Sequence, residues 1–120
     1  MHRPCAMCMQ CHGSKARFFI GEIGPGTESG RLFPNLGPRI SILSGQGAIL
    51  ARIGRDGFGD SLGQFVAPHG MAVDSRGDLY VGEVARRGWS LHMGPDKPVP
   101  PALRTIRKLV RIAPDDAQAV

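Results

Sequence analysis

A chain of 120 residues with 17 glycines and 10 prolines suits one compact domain, and it carries too many helix-breaking residues for a helix bundle or coiled coil. A hydrophobic share of 42% and a charged share of 21% exclude a disordered chain, and 15 Lys plus Arg against 10 Asp plus Glu give a net charge of +5. No stretch approaches the roughly 20 apolar residues of a membrane helix, and Met1-His2-Arg3-Pro4-Cys5 lacks the apolar region of a signal peptide, so a soluble, cytoplasmic chain with no membrane partner is expected.

In chain order, Pro4 to Gly13 reads as a strand and turn, followed by the apolar run Phe18-Phe19-Ile20 that ends in Gly21-Glu22-Ile23. Pro25 to Pro38, rich in Gly and Pro, is expected to be a long loop. Arg39-Ile40-Ser41-Ile42-Leu43-Ser44 is strand-like, with a Gly45-Gln46-Gly47 turn leading into a second run, Ala48 to Gly54. The clearest hairpin runs from Pro68 to Val84. Met71 to Val73 and Leu79 to Val81 supply β-formers, and Asp74-Ser75-Arg76-Gly77-Asp78 supplies the Asp, Ser and Gly of a turn. A loop with Pro95, Pro98, Pro100 and Pro101 then reaches Leu103 to Ile112. That segment is read as a strand, although Leu103, Ile106, Leu109 and Val110 also fit helical spacing. Residues 113–120 form a polar tail expected to fray.

The two halves resemble each other. Pro4, Met7 and Gly13 recur as Pro68, Met71 and Gly77, while Phe19-Ile20-Gly21-Glu22-Ile23 recurs as Tyr80-Val81-Gly82-Glu83-Val84, so the first copy carries extra residues, assigned to its turn. Residues 1–54 and 55–112 are the two expected units. Consecutive antiparallel strands with no helix between them point to radial or solenoid stacking. Gly63-Gln64-Phe65, then Ala67-Pro68-His69-Gly70-Met71-Ala72-Val73-Asp74, Gly77 and Leu79-Tyr80-Val81-Gly82-Glu83 resemble an NHL-repeat blade of a six-bladed type of β-propeller. The likeness is weaker in the first copy, where three cysteines replace strand residues and Gln10 stands in for Asp. It implies an all-β fold of consecutive antiparallel propeller blades, an incomplete propeller of about two. The apolar runs suit sheets buried on both faces, and Gly21 and Gly82 suit close approach between neighbouring sheets. Two blades do not close a ring, so the remaining blades, or self-assembly, are expected partners; a truncated reading frame is the favoured explanation.

For chemistry, Cys8-Met9-Gln10-Cys11-His12 matches the C-x-x-C-H attachment motif of c-type haem, with His12 as proximal ligand and Met71 or Met93 as axial sulfur; Pro34-Asn35-Leu36 adds a faint cytochrome likeness. The competing reading is a strand in which alternation puts Cys5 and Cys11 on one face and Cys8 on the other, as reduced, buried thiols. His69 sits where the resemblance places the mouth of a central channel, with Cys5 at the matching position and His2 close by. A divalent metal or an acid–base role at His69 competes there with simple turn capping. Glu22 and Glu83 end equivalent strands, where they face a ligand, satisfy loop donors or pair with an Arg. The basic residues Arg104, Arg107, Lys108 and Arg111, with Arg86 and Arg87, lack interleaved aromatic rings, so nucleic acid is not expected. The expected function is a binding scaffold for a protein or small-molecule ligand with no activity of its own. The alternatives are a piece of a metal-dependent propeller hydrolase or lyase, and a haem electron carrier.

Overall fold

The computed structural model describes residues 1–25, 33–34, 36–54 and 57–112. Most of the Pro25–Pro38 loop, Asn35 and the 113–120 tail lie outside the described residues. A four-stranded antiparallel sheet is built in chain order from β1 (Pro4–His12), β2 (Lys15–Glu22), β3 (Arg39–Ser44) and β4 (Ile49–Ile53). A three-stranded antiparallel sheet follows, from β5 (Pro68–Val73), β6 (Leu79–Glu83) and β7 (Ile106–Leu109). The fold is all-β, with consecutive antiparallel sheets stacked as adjacent blades of an incomplete propeller.

The repeat extends to hydrogen bonds and irregularities. Pro4 stands opposite Glu22 and Pro68 opposite Glu83, and each first strand breaks register directly afterwards, before Ala6 and Gly70. The Ile23 N–H donates to the Arg3 carbonyl, as the Val84 N–H does to the Ala67 carbonyl. The extra residues of the first copy do not enlarge its turn. They lengthen the ladder, pairing Gln10 with Arg17, Cys11 with Ala16 and His12 with Lys15 around a two-residue Gly13-Ser14 turn. Gly13 takes the positive φ of 57° that such a turn demands. The second hairpin keeps the five-residue turn Asp74 to Asp78, where Asp74 Oδ1 accepts the N–H groups of Arg76 and Asp78, both at 3.0 Å.

The sheets pack face to face. Phe19, Ile40, Phe65, Leu79 and Val81 form the buried cluster between them, with Cys8, Ile42, Met71, Val73 and Leu109 packed around it. Each of these five buried side chains is worth about 1.5–3 kcal/mol. The first strands of the two sheets, β1 and β5, lie side by side through residues that match in the repeat: the Gln10 amide donates to the Asp74 carbonyl at 3.4 Å. Gly21 permits the close approach, because a Cβ there would lie 3.2 Å from the Pro68 carbonyl oxygen. Gly82 has no such neighbour; its nearest is the Gly70 carbonyl of its own sheet at 3.7 Å.

One element departs from the sequence reading, which placed no helix between strands. The helix α1 (Ala85–Met93) follows β6 directly. It has no side-chain N-cap hydrogen bond and contains Gly88, so local propensity hardly announces it. Packing supplies what propensity lacks. A Cβ on Gly88 would lie 2.8 Å from the Ala67 Cβ, and the helix closes a second cluster of Val66, Ala67, Ala85 and Leu103 with Trp89 and Phe58.

Candidate functional site

Glu22 and Glu83 close equivalent corners of the two sheets. The Glu22 carboxylate is fully buried and accepts the His2 N–H at 2.7 Å, Arg39 Nη2 at 3.0 Å and the Ser41 hydroxyl. Glu83 accepts the N–H groups of Val66 at 2.7 Å and Ala67 at 3.0 Å, and Arg107 Nε at 2.8 Å. His2 and Val66 match in the repeat, so each acid ties the segment before the first strand to the end of the second. Burial pushes the Glu22 carboxyl up, but the hydrogen bonds from Arg39, Ser41 and His2, with the Arg39 charge, outweigh it and hold the group below the usual carboxylate range. All four carboxylate oxygens are engaged in these clasps.

Above these corners lies a cleft of 190 Å³, lined by Arg3, His69, Arg87 and His92 and floored by apolar side chains such as Ile23 and Leu91. Among the described residues no carboxylate lines it. Arg3 comes from the approach to β1, His69 from β5, and Arg87 and His92 from α1. Arg3 Nη1 is anchored by the Gly24 carbonyl at 2.8 Å, and the His92 ring stacks on Phe58 with centroids 3.7 Å apart. Of the site residues expected from sequence, the structure brings only His69 into this group. Arg87 and His92 were missed because α1 was missed, and Arg3 because the wall it faces is formed by that helix. A signal existed: Val84, Arg87, Gly88, Leu91 and His92 follow helical spacing. His2 lies at the Glu22 clasp, with Nδ1 buried and unpartnered.

The cysteines lie on β1, with Cys5 and Cys11 exposed and Cys8 turned into the inter-sheet cluster. Cys8 and Cys11 therefore face opposite sides of one strand, and His12 stands at the hairpin tip. The Cys5 thiol donates to the Pro68 carbonyl at 3.1 Å. Burial raises the Cys8 thiol, and at Cys5 burial likewise prevails over the opposing charge of Arg3. Met71 packs against the core cluster and Met93 ends α1. Among the described residues no three His, Cys, Asp or Glu side chains are placed to share a metal ion.

Arg107 and Lys108 point to opposite sides of β7. Arg107 is buried between Glu83 and Asp60. Lys108 pairs with Asp78 at 3.0 Å and lies over the Tyr80 ring. No helix among the described residues is long and apolar enough to cross a membrane. Comparison with family models, with curated proteins and with solved structures found no match.

Proposed function

We propose that this chain is a binding scaffold of the NHL-repeat propeller type, and that its ligand is a small carboxylate-bearing molecule held in the cleft between the sheet corners and α1. The carrying observation is the lining: two arginines and two histidines converge on a partly apolar cavity that, among the described residues, no acidic side chain lines. Guanidinium donors suit planar oxyanions, and a half-apolar wall strengthens such bonds relative to open water. The repeat supports the propeller reading, because equivalent residues make equivalent clasps in both sheets.

Succinate titrated into the labelled protein tests this by amide chemical shifts. Shifts confined to Arg3, Val66 to His69 and Arg87 to His92 are expected, with Arg87→Ala weakening binding about tenfold. Shifts scattered over surface Lys and Arg residues, or none at millimolar succinate, would refute the assignment.

A further inference from the structure

Among the described residues each sheet has one covered face and one face with no other sheet against it. The covered face of the three-stranded sheet presents Met71, Val73, Leu79, Val81 and Leu109 to the other sheet. By strand register these positions match Met7, Met9, Phe18, Ile20 and Leu43. All five of those are apolar and lie on the other side of the four-stranded sheet, where Met7 is 63% and Met9 52% exposed while Phe18, Ile20 and Leu43 are half-buried. The complementary relation holds too. The four-stranded sheet packs inward with Cys8, Phe19, Gly21 and Ile40, and the matching Ala72, Tyr80, Gly82 and Ile106 lie on the uncovered side of the other sheet, Ile106 71% exposed.

The molecule thus carries, bare, both halves of the interface that it forms internally. We propose that the partner for these faces is a second copy of this chain, stacked head to tail so that the Tyr80–Ile106 face of one copy covers the Met7–Phe18 face of the next. Gly82 leaves open the slot that Gly21 fills with the Pro68 carbonyl, and the Pro4 carbonyl of the next copy matches that group. Lys108 takes the place of Ile42 in the stack. Its ammonium is paired with Asp78 at 3.0 Å and lies 5.2 Å from the centre of the Tyr80 ring, so the charge at that point of the face already has a partner. An interface of two unlike faces repeats until its rotation closes a ring.

Sedimentation of the whole chain over micromolar to submillimolar concentration, with Met7→Lys and Ile106→Lys variants, tests this. Both substitutions fall on exposed side chains, and circular dichroism confirms their folding; Met9→Lys and Gly82→Val serve as second variants of each face. The wild type is expected to assemble beyond a monomer and each variant to be monomeric. An equimolar mixture of the two variants is expected to form a species of two chains, because each supplies the intact face that the other lacks. A monomeric wild type would overturn the proposal and assign the faces to other sheets. So would an Ile106→Lys variant that still self-associates, which signals like-to-like pairing, or variants that fail to pair when mixed.

Discussion

Glu22 and Glu83 show how an acid at a strand end serves a fold. Each satisfies a backbone N–H that precedes its sheet and neutralises a buried arginine, Arg39 or Arg107. Removing the charge of Glu22 weakens the charge-assisted hydrogen bonds it accepts from Arg39, Ser41 and His2 in a buried setting, so Glu22→Gln is expected to lower stability by about 1.5–3 kcal/mol in denaturant titrations. The folded carboxyl titrates below the unfolded one. Its stabilising contribution is therefore complete above the ordinary value of 4.5 and is lost as pH falls through the lower folded value. Wild type should lose stability steeply on the acid side, and Glu22→Gln should show a flatter acid limb. Thiols report burial in the same way: alkylation at mildly alkaline pH should modify exposed Cys11 before Cys8, whose thiol is raised by burial. At this scale the sequence was only half legible. The position of both acids and an Arg as one possible partner were visible, but not which Arg, because Arg39 and Arg107 approach from the third strand of each sheet across long loops.

Among the elements, β3 coincides with the apolar run Arg39 to Ser44, and the Asp74–Asp78 turn carries its chemistry in its residue types. β7 is shorter than Leu103 to Ile112, because only Ile106 to Leu109 find partners on β6. α1 depends on contacts with Val66 and Ala67 that no local pattern displays, and with it went most of the cleft. The two matching glycines separate inter-sheet packing from strand propensity. Gly21→Val should cost about 1–3 kcal/mol, because the Pro68 carbonyl and the Ala6 Cβ stand in the way. Gly82→Ala meets only its own sheet at van der Waals distance, and in the isolated molecule it should be neutral or stabilising by about 0.5–1 kcal/mol. Equal losses at both sites in thermal unfolding would contradict the assignment of Gly21 to the inter-sheet contact.

For the whole molecule, the central claim is that two copies of one strand pattern stack as consecutive blades, with matching residues of β1 and β5 touching. The repeat of Pro, Met and Gly made that arrangement readable, since a sheet that needs a partner on each face leaves apolar residues at successive strand positions, as in Phe18-Phe19-Ile20. What covers the outer faces was not readable from pattern alone, because their residues differ little from those of the inner faces. The most direct measurement is a set of nuclear Overhauser contacts between the sheets in the whole chain. Cross-peaks joining Gly21 to Pro68, and the Phe19 ring to the Leu79 and Val81 methyl groups, are predicted. Their absence, with residues 4–53 and 68–109 tumbling as separate bodies, would contradict the stacked arrangement.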